Sequence, residues 1–254
     1  MGAASVDSAS SPPSELVEKA WYFEDPGATG TELRLPTNSA QIVLGIDPSF
    51  PLAIVQGPMS ASKEIRREPQ RRAVGVVLRP GAIGSLAQQC ASEFADKEVD
   101  LADVWDVDVG GLLEELAAIS DRMGVFGRLK RFLSNLVDHG RPPSRGVGQM
   151  AEQLNRGERV SVACDQLGMS YRRSVGNFRS EVGITPKLFS RLSRFEFAVA
   201  EVRRSGSPAL ATVAARAGYS DQSHMTRDFA EFAGRSPGSF HRDGANSPNH
   251  VDLG

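Results

Sequence analysis

The chain has 254 residues, 40% hydrophobic and 24% charged, enough to bury a sizeable core and to form two domains. Nothing approaches the roughly 20 consecutive apolar residues of a membrane span, and the opening MGAASVDSASSPPSE lacks the basic and apolar regions of a secretion signal; a cytoplasmic chain without membrane contact is expected. The net charge of −2 hides a segregation, because Met150–Arg242 carries fourteen Lys and Arg against nine Asp and Glu, whereas Met1–Gln149 carries fifteen against twenty. A cationic half can neutralise phosphates, and an acidic half avoids them.

Met1–Ser14, rich in Ser, Ala and Pro, reads as a disordered start, with structure beginning near Trp21. From there to Leu78, the runs TELRLP, AQIVLGI, PLAIVQG and AVGVVLRP are separated by Gly, Pro, Asn and Asp, the pattern of a β-rich domain, placed at residues 15–110. The charged stretch Ser62–Arg72 reads as a loop or an edge. Arg79-Pro80-Gly81 ends a strand, because Pro has no amide for the ladder and Gly admits a turn. Leu86, Cys90 and Phe94 at i, i+4, i+8 then predict one helix face, with Leu101, Val104 and Trp105 packing near it. Cys90 and Cys164 have no CxxC partner and read as small buried residues, implying neither a disulfide framework nor a metal or cofactor site.

Residues 111–139 change character. Leu113, Leu116, Ile119 and Met123, then Leu129, Phe132, Leu133, Leu136 and Val137, predict two amphipathic helices broken around Gly124 to Gly127. GRPPSRGVG then reads as a Pro/Gly linker, and residues 140–149 are assigned to it. From Met150 the chain is expected to be helical. Met150, Ala151 and Leu154 mark a short helix, Ser161 caps the next, and Gly168 closes a corner before Ser170 starts SYRRSVGNFRSEVGITP. Lys187–Arg204 forms one continuous helix with Leu188, Leu192, Phe195, Val199 and Val202 on one stripe, roughly 27 Å long against the ~34 Å turn of DNA. Residues 243–254 read as a mobile tail.

The most informative stretch is Ala209–Arg242. Val213, Ala214 and Ala217 give a short helix with a small apolar face, Gly218 ends it, and Asp221 caps a second helix from about Gln222 to Phe232. Met225, Phe229 and Phe232 form its apolar face; Gln222, Ser223, Thr226 and Arg227 lie opposite, all hydrogen-bonding groups. That is the layout of a helix-turn-helix whose second helix enters the DNA major groove, and a helical hairpin with a merely solvated face is the bland alternative.

GYSDQSHMTRDF, followed by Gly234, Ser236, Pro237 and Phe240, resembles the second helix-turn-helix of AraC/XylS-type transcription regulators, departing mildly at Met225, where Leu or Phe is usual. Ser170, Phe178, Arg179, Val182, Gly183 and Pro186 resemble the first. There the chain departs at Ser174, in place of a core Leu, and at Gly176, in place of a basic residue. The first change costs on the order of 2 to 4 kcal/mol unless a neighbour fills the gap, the second roughly 1 kcal/mol. RAVGVVLRPGAIGSLAQQCASEFADKEVDLADVWD resembles a poorly characterised domain that precedes such DNA-binding domains.

The resemblance implies an α+β chain: a β-barrel or jelly-roll-like domain with helices, then an all-α domain at residues 150–242. Its helix-turn-helix units fall at about 161–182 and 209–233, joined by the helix 187–204. It implies a sequence-specific regulator of promoter DNA, activator or repressor, with Gln222, Ser223, Thr226, Arg227 and Arg172 at base edges and Arg173, Arg179 and His224 at phosphates. The N-terminal domain is then the place for a small-molecule effector, for homodimerisation through residues 111–139, or both, and RNA polymerase is a partner if the protein activates. An apolar barrel interior can equally be a filled core.

Two other classes stay open: a protein-interaction module with weakened DNA binding, and an alkyl-transfer enzyme of DNA repair, whose reactive cysteine has no recognisable setting here. No enzyme is expected, since no Ser/His/Asp, HExxH, P-loop or GxGxxG arrangement stands in a strand-turn-helix context; Gly81-Ala82-Ile83-Gly84 lacks the lysine of a phosphate loop.

Overall fold

The computed structural model describes residues 16–25, 30–67, 71–139, 143–204, 209–240 and 250–252. Strands β1 (Val17–Asp25), β2 (Gly30–Arg34), β3 (Gln41–Gly45), β4 (Leu52–Gln56), β5 (Lys63–Arg67) and β6 (Arg71–Leu78) precede helix α1 (Ala82–Ala87) and a 3-10 turn at Ala91–Glu93. Strand β7 (Glu98–Asp100) and helices α2 (Leu101–Val104), α3 (Val109–Ala118) and α4 (Arg122–His139) complete the N-terminal half. Helices α5 (Arg145–Asn155), α6 (Val160–Gln166), α7 (Tyr171–Val182), α8 (Pro186–Arg204), α9 (Leu210–Arg216), α10 (Gln222–Ala233) and α11 (Pro237–Phe240) follow, and strand β8 (His250–Asp252) comes last.

The architecture is α+β, as the sequence implies. One antiparallel sheet has the order β1-β6-β3-β4-β7, a second the order β5-β2-β8. Period-two alternation puts Ala20, Val76, Ile42 and Val55 in one row across the larger sheet and Tyr22, Val74, Leu44 and Ala53 in the next. All eight are buried. Leu112 and Leu116 of α3 and Leu129, Phe132, Leu133 and Leu136 of α4 join them in one core, with Ile83 and Leu86 of α1. The interior is filled by these side chains.

Several expectations are corrected. Among the described residues neither sheet closes, so the expected barrel is an open sheet with β1 and β7 as edges; β7 gives β4 only three residues before Asp100 caps α2 by accepting the Ala102 amide at 2.9 Å. Among the described residues β1 starts at Val17, upstream of Trp21, whereas the charged stretch is the edge that one of its two readings gave, strand β5 paired with β2. Leu86, Cys90 and Phe94 do not share a helix: α1 ends at Ala87, capped by Gln88, whose φ of 53° lies in the left-handed region. Cys90 consequently stands half-buried beside Ser92, which holds its thiol below the usual range, while Cys164 is buried as expected. The break between α3 and α4 falls at Ile119–Asp121, Gly124 and Gly127 lie within α4, and Met123 is exposed. The stripe read as a dimer contact is largely spent on the chain's own sheet.

Helix α5 starts at Arg145, inside the stretch assigned as linker, because Ser144 Oγ accepts the Val147 amide at 3.3 Å. Arg159, not Ser161, precedes the first turn of α6. In the stretch read as a mobile tail, β8 pairs with β2. Met1–Ser14, residues 140–142 and residues 205–208 lie outside the described residues.

Leu33 and Leu35, at the end of β2, belong to the core of the helical half. The neighbouring segment Thr37–Ser39 is buried and docks on α8: the Asn38 amide donates to Glu196 at 2.9 Å and Asn38 Nδ2 to Ser193 Oγ at 2.8 Å. Burial pushes the Glu196 carboxyl up to about 7, against the lowering effect of the Asn38 amide and the Thr37 hydroxyl. A cavity of about 40 Å³ adjoins it, lined by Glu18, Lys19, Thr37, Ser39, Gln41, Val77 and Glu196.

Candidate nucleic-acid interface

The second helix pair is built as a rigid corner. Val213 and Ala214 of α9 face the core, Gly218 turns the chain at φ 78°, and Tyr219 is buried behind it. Asp221 then opens α10: its Oδ1 accepts the His224 amide at 2.7 Å and its Oδ2 accepts from Ser220 Oγ at 3.0 Å. The His224 amide is the main reason the Asp221 carboxyl lies below the usual carboxylate range. The cap satisfies one of the orphan amides of the helix start.

Helix α10 presents two unlike faces. Met225, Phe229 and Phe232 are 1% exposed or less, and Phe229 meets Phe195 and Phe240 edge-on at 5.0 and 5.4 Å. On the other side Gln222, Ser223 and Arg227 are exposed and Thr226 is half-exposed. Thr226 Oγ1 donates to the Gln222 carbonyl at 2.9 Å and Arg227 Nε to the Ser223 carbonyl at 3.4 Å. His224 is less accessible: it lies edge-on to Tyr219, with Nδ1 3.1 Å from Ser220 Oγ.

A fork on the inner side fixes this helix to α8. Arg191 Nη2 donates to Asp228 Oδ1 at 2.7 Å and to Glu231 Oε2 at 2.6 Å, and the guanidinium lies 4.7 Å from the centre of the Phe232 ring. Glu231, above all, holds Arg191 protonated. Glu201 of α8 likewise pairs with Arg216 of α9. The sequence reading missed this fork. Its signal was Asp228, an acidic residue one position before Phe229 on an apolar face, which demands a cation when buried.

The first pair repeats the plan with fewer supports. Gly168, at φ 63°, turns the chain, and Ser170 precedes α7 without a side-chain hydrogen bond to the helix start. Arg172, Arg173, Gly176 and Arg179 are exposed and Val175 half-buried, while Phe178 packs edge-on against Phe189 at 5.3 Å. Ser174 is buried, and its hydroxyl has no hydrogen-bond partner among the described residues. Tyr171, 58% exposed at the first turn, is an accessible aromatic that the sequence reading passed over.

Residues 163–243 match the family model of a helix-turn-helix domain, HTH_18. Residues 163–243 form an AraC-type helix-turn-helix domain. Residues 9–100 match a domain of unknown function, DUF6597, so the AraC-type domain follows a second recognised unit. Solved structures similar to it include ToxT from Vibrio cholerae O395, at 10% identity and TM-score 0.43 over 88% of this chain and 93% of that one. Another is wild-type ToxT of Vibrio cholerae strain SCE256 with bound unsaturated fatty acid, at 10% identity and TM-score 0.41, covering 88% and 90%. The xylose-binding transcription activator XylR is similar at 17% identity and TM-score 0.33 over 48% of this chain and 38% of that one. No curated protein matches the chain.

Proposed function

We propose that the protein reads a specific promoter sequence in the major groove, chiefly through α10. The observation that carries this reading is the exposure of Gln222, Ser223 and Arg227 on the face opposite a fully packed apolar stripe. Arg227 then forks onto guanine O6 and N7, Gln222 pairs with adenine N6 and N7, and Thr226 and Ser223 hydrogen-bond or meet a thymine methyl. On α7, Arg172 is the base-edge donor. Arg173 and Arg179 bind phosphates, with His224 as a weaker third, because its imidazole is partly enclosed. The N-terminal domain would bind an effector, mediate dimerisation, or both. An effector much larger than water does not fit the ~40 Å³ space beside Glu196 unless that space opens.

Footprinting of purified protein on the DNA upstream of its own and neighbouring genes tests the reading. Two protected segments one helical turn apart are expected per protomer. Arg227→Ala should relax one base preference by about 1 to 3 kcal/mol, and an unchanged binding-site profile would reject its assignment.

A protein-interaction module is the second reading, favoured by the unpartnered Ser174 hydroxyl and by Gly176 within α7. Salt separates the two, since DNA binding falls steeply with ionic strength and a protein contact of this kind need not.

A further inference from the structure

The first recognition helix is held from behind by the N-terminal domain. Its last turn lies against α1 so closely that a Cβ placed on Gly84 would stand 3.1 Å from the Glu181 carbonyl oxygen and 3.2 Å from the Glu181 Cα. One residue past the helix, a Cβ on Gly183 would stand 2.8 Å from the Ala91 carbonyl oxygen and 3.5 Å from Pro58. At Gly183, which also has a φ of 99°, the approach leaves no room for a Cβ; at Gly84 a Cβ would have to push the Glu181 backbone back by a few tenths of an ångström. Glu181 also accepts the Ser144 amide at 3.0 Å, tying the same turn to the start of α5, and the Cys90 thiol donates to Ser180 Oγ at 3.7 Å. Helix α1 is itself rooted in the sheet core through Ala82, Ile83 and Leu86.

The face that would meet DNA lies at the other end of α7. Arg172 is nine positions before Glu181, about 14 Å along the axis, so tilting the helix by roughly 10° at the grip moves Arg172 by about 2 Å. Such a displacement exceeds the tolerance of a base-edge hydrogen bond. The helix cannot supply this rigidity alone, with a buried unpartnered hydroxyl at Ser174 and a glycine at 176.

We propose that the shoulder formed by α1 and the Ala91–Glu93 turn is a positioning surface for the first recognition helix: it grips α7 at Glu181 and Gly183 and thereby sets the angle at which Arg172 and Val175 meet DNA. The inference rests on the DNA-reading role proposed above. It makes Gly84 and Glu181 positioning residues that act on DNA without touching it, and it gives the N-terminal domain a direct mechanical hold on the first reading head.

Footprinting with the full-length chain tests it. Gly84→Val drives a branched side chain against the Glu181 backbone. The segment under the first helix-turn-helix should then need about tenfold more protein for protection, while the segment under the second stays within about twofold. Glu181→Ala should weaken the first segment alone by about threefold, and Glu181→Gln, whose amide oxygen can still accept the Ser144 amide, should restore it. That pair of variants keeps the test decisive if Gly84→Val fails to fold. Equal protection of both segments by wild type, Gly84→Val and Glu181→Ala would overturn the inference, as would an equal loss at both segments in Glu181→Ala. A wild-type footprint confined to the second segment overturns it while leaving the regulator reading intact; a wild type that protects no segment sinks the DNA-reading role itself.

Discussion

The two helix-turn-helix units share a plan and differ in how they are held. The second is secured mainly within the helical half: Asp221 caps α10, three aromatic edges surround Phe195 and Phe229, and Arg191 of α8 forks onto Asp228 and Glu231, with one backbone hydrogen bond from Ser62 to the Phe232 carbonyl reaching it from the N-terminal half. The first lacks a side-chain cap, buries a lone hydroxyl at Ser174, and carries Gly176 where nothing lies within 4 Å of an added Cβ. What it has instead is the rest of the molecule, pressed against its last turn. A recognition helix can be rigid through its own packing or through a neighbour's, and only the second kind transmits a change in that neighbour.

The contrast can be broken hardest at Phe229. Phe229→Ala should destabilise the helical half by about 3 to 5 kcal/mol, because a fully buried ring wedged between two others leaves a cavity that rigid aromatics cannot close. Chemical denaturation followed by circular dichroism measures it, and a cost under about 1 kcal/mol would mean the core is looser than drawn. Arg191→Met comes next, at about 3 kcal/mol, the lower end for removing one partner of a buried pair, since Arg191 is 25% exposed and Asp228 5%. A double-mutant cycle with Asp228→Asn should recover much of the loss, because the uncompensated carboxylate is what costs most.

The joint between β2 and α8 adds a pH test. In the fold the Glu196 carboxyl lies near 7, raised from an ordinary 4.5 by burial, with Glu18 opposing and Lys19 favouring its charge. Its contribution is therefore fully present below about pH 4.5 and is lost as pH rises to about 7, by up to about 3 kcal/mol. Glu196→Gln should remove that part of the slope in a stability series across pH 4.5 to 7. Identical slopes for the two proteins would place the carboxyl in water.

Sharpening the contrast from the weak side gives the smallest effects. Ser174→Ala removes the buried hydroxyl and should stabilise by about 1 kcal/mol, as differential scanning calorimetry would read. Gly176→Ala fills open space on an exposed helix position and should add up to about 1 kcal/mol. If neither variant raises the melting temperature, the first unit is not the softer one.

The site was more legible than the domain in front of it. Helix α10 was readable because a cap, a 3.6-residue apolar period and a glycine stop all coincide within fifteen residues, so local chemistry alone fixes which side chains face outward. The break at Gln88 was not, since a left-handed glutamine interrupts a stripe that otherwise reads as one helix. The start of α5 hid inside a Pro- and Gly-rich stretch for the same reason: Ser144 and the docking of Val147 in the helical core outweigh the poor helix propensity of two glycines.

By itself the sequence determined the α+β order, the strands from TELRLP to AVGVVLRP, the two helix-turn-helix corners and the outward face of α10, all properties set by residues close together in the chain. Tertiary structure alone decided that the sheet stays open, that the α3 and α4 stripes cover it, that Asp228 pairs with Arg191 and that α1 presses on the end of α7. Those outcomes depend on which surfaces far apart in sequence come to share one volume, and a pattern of apolar spacing states that a face will be buried without stating against what.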